Sequence, residues 1–513
     1  MATTPRKAFK PTSFVALAPW GWCLGLSIPL MAHAQSTSIQ PSLAVTTTAQ
    51  QQDNLPGTPS SGGRSRDVVT VISPSLAIQS QGAQLSVNGI IALDIHHYGR
   101  QTQSNQTTPR GGVDAVWFEK DWGLGLEAGW SARQVPAQFI ANTSASSNPA
   151  NEYTTSEWKL APYLNKALSP TTELKAKLSK TLVHSSQPST TLAERPDTTV
   201  NTAILSLNER PSPLGYELSL KQEETRLSEQ SDPVLNQRTG WVKATYAPAA
   251  EIELGAIVGR ESTKVLLESY NDRIVGWSIE IRPQERSSLR AQVESRFFGQ
   301  AWDIQANHRT TWVTASANFK RYPSTYATSG GTTSEDGLRR RVGETPNDQA
   351  TKDRILQSFL NKLGNDALSG NAKELYSITA QLRQEASGRL TFLGRRNSMS
   401  IAAGRTDSQP LTAAQLLLNS ASTTRDYFFV ADWLHQMAPT LRLSAQLRWT
   451  RSHQTPTNQP YVFGREFSWQ TALIKQLSPS ASGTLGLRRK IVHSTNFGDG
   501  ADSAAFAGLD YKF

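Results

Sequence analysis

The chain has 513 residues, a formal net charge of +10 and a single cysteine, Cys23, close to its start. With no cysteine beyond that position, disulfide bonds, cysteine-ligated zinc and a thiol nucleophile are excluded from the rest of the chain. The positive charge is spread over several hundred residues without a lysine-rich tail or a basic helix, so the composition gives no support to nucleic-acid binding.

The first 34 residues have the three parts of a secretory signal peptide. Three basic residues open the segment, an apolar stretch runs from Phe14 to Met31, and Ala32-His33-Ala34 offers the small-x-small cleavage pattern. The alternative is a membrane anchor helix, but prolines and glycines interrupt the stretch, and it barely reaches the roughly 20 residues that a spanning helix needs. We expect residues 1–34 to be cleaved, which lowers the formal charge to about +7.

From Ser36 onward one unit recurs: about ten to fifteen residues with alternating apolar and polar side chains, then a cluster of turn-forming residues. The clearest examples are residues 85–95, 252–258 and 441–449. A soluble antiparallel sandwich also alternates, but its strands usually have about five or six residues. These runs are about twice as long, which is the length that a tilted strand needs to cross a bilayer.

The connections between these runs alternate in length. Barrels of the outer membrane have short periplasmic turns and longer external loops, whereas a sandwich has no reason to sort its loops in this way. The short turns include Ser80–Gly82, Leu168–Pro170 and Ala438–Thr440, and the long polar loops include Gln101–Arg110, Ala141–Asn151, Ser185–Asp197 and His453–Tyr461. Tryptophan, tyrosine and phenylalanine also cluster near the ends of the runs, as they do at membrane interfaces.

The chain ends with an alternating segment in which Leu509, Tyr511 and Phe513 are apolar and the last of them carries the carboxylate. This ending resembles the C-terminal signal by which bacterial barrel assembly machinery recognises outer-membrane proteins. We therefore interpret the three residues as an assembly signal.

The recurring strand pattern is interrupted once, between Ser324 and Lys373. Within that stretch, apolar residues follow helical spacing over 353–363, which predicts a short helix in a long loop that caps the barrel or folds into its lumen. The predicted fold is all-β: a single closed antiparallel transmembrane β-barrel of about 20 strands, within a range of about 18 to 22. Its predicted layout is a signal peptide (1–34), an N-terminal segment with a candidate first strand (35–66) and the barrel (67–513, with the loop at 324–373).

The candidate catalytic and cofactor-binding motifs lack the structural context that their chemistry requires. Gly123–Ala128 fits a loose dinucleotide-binding pattern, but strand-like alternation runs straight through it where a helix should begin. The histidines lack the spacing of zinc proteases, and the adjacent pair His96-His97 points to opposite faces of a strand. We expect no enzyme activity, no cofactor and no metal, although a Ser-His-acid site assembled across strands is a third hypothesis.

The positions of the arginines indicate what could line the lumen. A charge on the lipid face costs several kcal/mol near the middle of the membrane, so most arginines should face the lumen or lie at the rims. Arg282, Arg290 and Arg296 are the candidate lumen residues, and alternation along their strand would place Phe297 toward lipid. A lumen lined by arginine favours anionic solutes. The alternatives are arginines paired with acids as struts, or rim cations that bind the phosphates of lipopolysaccharide.

Several segments together resemble the PEP-CTERM system-associated family of outer-membrane proteins. The segments that carry the resemblance are Asp67–Leu76 followed by Gly82-Ala83, Arg286–Leu289, Ser295–Gly299, His308–Trp312 and Arg396–Ser400. The resemblance implies an integral outer-membrane barrel encoded among genes for exopolysaccharide production and protein sorting.

The sequence thus leads to two main functional hypotheses. The first is a pore or scaffold that serves exopolysaccharide export, with exopolysaccharide or its export proteins, the barrel assembly machinery, outer-membrane lipid and lipopolysaccharide as partners. The second is a general diffusion porin with a mild preference for anions. We expect no nucleic-acid partner in either case.

Overall fold

The computed structural model describes residues 36–53, 64–102, 104–119, 122–136, 152–186, 197–228, 233–265, 268–324, 380–411, 422–456, 462–495 and 498–513. Their regular structure consists of 22 strands. The strands are β1 (Ser36–Asp53), β2 (Arg64–Gln81), β3 (Leu85–Tyr98), β4 (Gln106–Glu119), β5 (Leu124–Pro136), β6 (Glu152–Ala167), β7 (Thr172–Ser186), β8 (Thr198–Glu209), β9 (Leu214–Leu227), β10 (Leu235–Ala249), β11 (Ile252–Val265), β12 (Glu268–Gln284), β13 (Ser287–Arg296), β14 (Gly299–Arg309), β15 (Val313–Ser324), β16 (Gln381–Leu393), β17 (Asn397–Pro410), β18 (Ser422–Ala438), β19 (Leu441–Pro456), β20 (Val462–Gln476), β21 (Ala481–Ser494) and β22 (Gly498–Lys512). Within the ranges above, no helix is long and apolar enough to cross a membrane.

The sheet closes on itself. Each strand pairs antiparallel with the next one along the chain, and β1 pairs with β22 from Ser42 opposite Lys512 to Asp53 opposite Ala501. Closure gives the backbone of every strand hydrogen-bond partners on both sides. This is required inside a bilayer, because hydrocarbon offers no hydrogen bonds to an open sheet edge. The fold is therefore a closed antiparallel barrel, and its 22 strands stand at the upper limit of the expected range.

The first strand of the barrel, β1, begins at Ser36. It lies in the N-terminal segment 35–66, for which the sequence predicted only a candidate first strand. In the first half of β1 the outward phase holds Ile39, Leu43 and Val45, whereas toward the external end it holds Thr47 and Gln51. The alternation that marks a membrane strand is therefore weak only in the external half of β1. Its place in the barrel follows from pairing with β2 and β22.

Side chains divide between an outer and an inner wall. Successive residues of a strand face opposite sides, and residues directly opposite each other on paired strands face the same side. On β11 the outward Val258 is 59% exposed, whereas the inward Glu261 side chain is fully buried. Apolar surface moved from water into hydrocarbon stabilises by roughly 25 cal/mol per Å². The exposed leucine, isoleucine, valine and tryptophan side chains of the outer wall therefore suit a lipid environment.

The two ends of the barrel carry different connections. At the end that holds the chain terminus Phe513, all ten connections between strands have two to four residues. At the opposite end they include 99–105, 228–234 and 325–380, although 266–267 and 297–298 are short as well. Short turns mark the periplasmic end. The predicted signal peptide and the predicted helix at 353–363 lie outside the described residues.

Candidate functional site

The three candidate lumen arginines share the inner wall. Arg290 lies directly opposite Glu280 on β12, and Arg282 follows Glu280 in the same phase. Arg296 continues the phase of Arg290 along β13. The opposite face of these strands carries exposed Val275, Trp277 and Leu289 among its apolar residues. The register thus brings all three arginines to one panel of the inner wall formed by β11, β12 and β13.

Arg296 is held by two carboxylates from two strands. Its Nη2 lies 2.6 Å from Oε2 of Glu261 on β11, and its Nη1 lies 3.1 Å from Oε2 of Glu294 on its own strand. The backbone N–H of Phe297 donates to the other oxygen of Glu261 at 2.7 Å. The Arg296 side chain is only 15% exposed. This cluster of Arg296, Glu261 and Glu294, which we call the Arg296 cluster, joins β11 to β13 across the intervening β12.

Arg282 and Arg290 are more open to the lumen. Nη2 of Arg282 lies 2.5 Å from Oε1 of Glu280, near the periplasmic end of β12, and the Arg282 side chain remains more than half exposed. Arg290 is exposed, and it makes no ion pair with another described residue. The three predicted arginines are therefore not equivalent: Arg296 is fixed, Arg282 is paired at the rim, and Arg290 is the one available to a solute.

Ion pairs recur around the inner wall. Glu127 on β5 accepts from Lys177 at 2.7 Å and lies 3.5 Å from Lys159, which ties β5, β6 and β7 together. Other inner pairs are Arg110–Asp94 at 2.6 Å, Lys320–Asp303 at 3.5 Å, Arg488–Asp502 at 3.3 Å and Lys490–Glu466 at 3.3 Å. Cations and acids are thus paired at several places around the inner wall. The lumen is polar and its charge is locally balanced, which weakens the basis for a strong anion preference.

Arginines elsewhere in the barrel do not all face inward. Arg405 on β17 occupies the outer phase, where it pairs with Asp407 at 2.6 Å and stacks over the ring of Tyr427 at 5.6 Å. Arg489 on β21 shares its phase with the exposed Leu487 and Ile491. These outward arginines show that arginine content alone does not measure the charge of the lumen.

The ring of Phe297 does not point to lipid as the alternation along β13 predicted. Phe297 lies in the turn after β13, and its ring packs on Tyr270 at 5.2 Å and on Phe298 at 5.2 Å. Tyr270 is directly opposite the buried Thr263 on the inner wall. Strict alternation ends with the strand, so a turn residue is free to face the other way.

Apolar side chains gather at the external end of the lumen. Leu227, Leu235 and Val265, at the external ends of β9, β10 and β11, belong to one buried cluster with Ala380, which precedes β16. Leu411, which follows β17, packs against the same cluster. Two separated stretches of the wall therefore meet in an apolar contact at the external end.

The three residues of the expected assembly signal lie at the periplasmic end of β22. Leu509 and Tyr511 are exposed on the outer wall, and the rings of Tyr511 and Phe513 meet edge to face at 4.9 Å. The backbone N–H of Phe513 donates to the carbonyl of Pro41 at 3.0 Å. The terminal residue is thus part of the closing seam between β22 and β1, and its role in recognition stays a prediction.

Sequence reasoning missed the carboxylates of the inner wall. A usable signal was present for Glu261, because it follows Glu253 in the polar phase of β11, between the lipid-facing Val258 and the strand end. Its contact with Arg296 could not be predicted, because the contact depends on the register across three strands. Within the described residues, no group of three or more histidine, cysteine, aspartate or glutamate side chains could hold a metal ion.

No protein-family model matches the chain, and no curated protein matches it. Among solved structures, the chain is similar to OccK9 (OpdG) of Pseudomonas aeruginosa, at 10% sequence identity and a TM-score of 0.35, over 93% of this chain and 99% of that one. It is similar to the FrpB iron transporter of Neisseria meningitidis (F3-3 variant), at 10% identity and a TM-score of 0.47, over 92% of this chain and 81% of that one. It is also similar to the outer membrane protein opdK of Pseudomonas aeruginosa, at 9% identity and a TM-score of 0.35, over 93% of this chain and 99% of that one.

The location of the protein follows from its two walls. A closed barrel of 22 antiparallel strands exposes large apolar side chains on its outer wall and buries ion pairs on its inner wall. In bacteria, single-chain barrels of this design lie in the outer membrane. The chain is an integral β-barrel of the outer membrane, with the architecture of a pore.

Proposed function

We propose that the barrel is a water-filled pore for a hydrophilic, largely uncharged substrate. The observation that carries the proposal is the inner wall, where carboxylates, ammonium and guanidinium groups stand in matched pairs such as Lys177–Glu127 and Lys490–Glu466. A wall of this kind stays hydrated and offers donors and acceptors to hydroxyl groups. Because its charges are balanced locally, it neither excludes nor traps a polymer that has little charge of its own.

The substrate class that we propose is exopolysaccharide, with the barrel acting in its export or as a scaffold for the export proteins. Two features support this choice. The first is the resemblance to the PEP-CTERM system-associated proteins, which rests on segments such as Arg286–Leu289 and Ser295–Gly299. The second is the charge-balanced inner wall, which fits a polyhydroxylated chain better than a strongly anionic solute.

The experiment is a deletion of the gene in the native host, with measurement of secreted polysaccharide and of small-solute uptake in the same cells. We expect secreted polysaccharide to fall several-fold while the uptake of small sugars and amino acids stays unchanged. Complementation with the wild-type chain should restore secretion. Loss of small-solute uptake with normal secretion would overturn the proposal in favour of a general diffusion porin.

A further inference from the structure

The apolar outer wall is interrupted by three arginines at the external side of β10, β11 and β12. Arg238, Arg260 and Arg273 occupy the phase that faces outward, and all three are exposed. In β11, Arg260 follows Ile252, Leu254 and Val258 in the same phase. The same sign of charge thus stands on three neighbouring strands, on the face that meets the membrane.

The register places the three guanidinium groups beside one another. Arg260 lies directly opposite Arg273, and Arg238 lies directly opposite Ser262, which is two positions from Arg260. Side chains in such direct and diagonal positions are neighbours, and like charges directly opposite destabilise a sheet. The arrangement therefore concentrates positive charge on neighbouring strands, although the repulsion between these charges destabilises the sheet.

Acidic neighbours do not relieve this repulsion. Among the described residues, none forms an ion pair with Arg238, Arg260 or Arg273. The adjacent acids Glu261 and Asp272 belong to the inner phase, and Glu261 is already bound to Arg296. Glu224, which is diagonal to Arg238 on the outer face of β9, is paired with Arg226. Each of the three arginines therefore has donors available for a ligand outside the barrel.

A groove connects the arginines to an apolar surface. A cavity of about 1570 Å³ is lined at one end by Arg238, Arg260 and Arg273 and elsewhere by exposed leucines that include Leu178 and Leu220. The lining residues follow one line of directly paired positions across β5 to β12, and the outward residues on either side of this line form the walls of the groove. The inward residues of the line itself are Gly125, Tyr163, Lys177, Ile204, Lys221, Thr239, Glu261 and Asp272. The line rises from the periplasmic end of β5 to the external end of β12. The cationic end of the groove is therefore external, and the leucines lie at membrane depth.

The depth of the arginines matches the boundary of the outer leaflet. A tilted strand needs about 9–11 residues to cross the hydrocarbon. In β11 the outward apolar residues run from Ile252 to Val258, and Arg260 comes next in phase. In β12, Val275 and Trp277 are 59% and 53% exposed just below Arg273. An arginine at this depth is tolerated best where it meets an anionic headgroup, since the cost of a charge falls toward the interface.

We propose that Arg238, Arg260 and Arg273 bind the phosphate groups of lipid A, the phosphorylated glycolipid that anchors lipopolysaccharide in the outer leaflet. Guanidinium groups bind phosphate with paired, charge-assisted hydrogen bonds, and three of them side by side match a headgroup that carries more than one phosphate. The leucine-lined part of the groove receives the acyl chains. The site lies on the outer wall and is independent of what passes through the lumen.

The test is lipid A binding to the purified full chain in detergent, counted by native mass spectrometry. The variant Arg238→Gln/Arg260→Gln/Arg273→Gln should bind lipid A at least tenfold more weakly than the wild type. Lipid A without its phosphates should bind the wild type at least tenfold more weakly than intact lipid A. Far-ultraviolet circular dichroism and heat-modifiable migration establish that the variant is folded.

A matched control removes three arginines from the inner wall. Arg442 on β19 precedes Leu443, which is directly opposite the exposed Leu473 of the outer wall, so Arg442 faces inward. The variant Arg282→Gln/Arg290→Gln/Arg442→Gln has the same loss of charge and should keep wild-type affinity for lipid A. Unchanged affinity of the outer-wall variant would overturn the proposal. So would an equal loss in both variants, which would indicate net charge alone, or equally tight binding of phosphatidylglycerol, which would indicate any phospholipid.

Discussion

At the scale of single residues, the burial of a charge decides what it does. Arg290 and Arg296 are six positions apart in one phase of β13, yet Arg296 is enclosed by Glu261 and Glu294 while Arg290 is exposed to the lumen. Breaking a buried pair by removing one partner costs about 3–5 kcal/mol, because the remaining charge stays buried without compensation. The same residue type therefore acts as a strut at one position and as a solute contact at the other.

This difference predicts opposite results for the same substitution. Arg290→Glu should leave the amount of heat-modifiable protein unchanged and shift the preference of the pore toward cations, measured as a change in reversal potential across a lipid bilayer in a salt gradient. Arg296→Glu should sharply lower the amount of folded protein, because it brings three carboxylates together. If Arg290→Glu leaves the reversal potential unchanged while Arg296→Glu folds normally, this assignment of the two arginines is wrong.

At the scale of the element, β22 combines pairing with a terminal signal. Its residues pair with β21 on one side and β1 on the other, and Phe513 extends the seam by one further hydrogen bond to Pro41. The strand is therefore one of the two that close the barrel.

Replacement of Phe513 should impair assembly more than stability. We expect Phe513→Asp to lower the amount of heat-modifiable protein in outer-membrane fractions several-fold, because the outward aromatic side chain at the periplasmic end is lost from the proposed recognition strand. Phe506→Ala on the same strand is the matched control, since it removes an aromatic ring from the opposite phase. Normal insertion of Phe513→Asp would refute the assignment of the assembly signal.

Strands were predictable where one phase is filled with large apolar residues, as in β11 and β19. There the sequence alone predicts both the strand and the face that meets lipid. In β1 that phase holds Ile39, Leu43 and Val45 in its first half but Thr47, Ala49 and Gln51 toward its external end, where membership in the barrel depends on pairing more than on the local pattern. The inner ion pairs also depend on strand pairing, since Arg296 meets Glu261 only through the register of β11, β12 and β13.

At the scale of the whole molecule, closure turns local alternation into two separate environments. The outer wall meets lipid along its whole circumference, and the inner wall encloses a polar lumen with an apolar contact at its external mouth. The closed barrel and its location could be predicted from the sequence, because alternation, turn lengths and the aromatic ending agree. The apolar cluster at the external end could not, because it joins residues such as Val265 and Ala380 that lie in separate parts of the wall and far apart in the sequence.

The most direct test of a water-filled barrel is the environment of five successive positions on β13. Single cysteines at Leu289, Arg290, Ala291, Gln292 and Val293 would each carry a spin label in the protein reconstituted in lipid, with accessibility measured to oxygen and to a water-soluble nickel complex. We expect a period of two residues, with the nickel complex reaching positions 290 and 292 and oxygen favouring 289, 291 and 293. Uniform accessibility, or nickel access at 289 and 293, would contradict the assignment of a polar lumen and a lipid-facing outer wall.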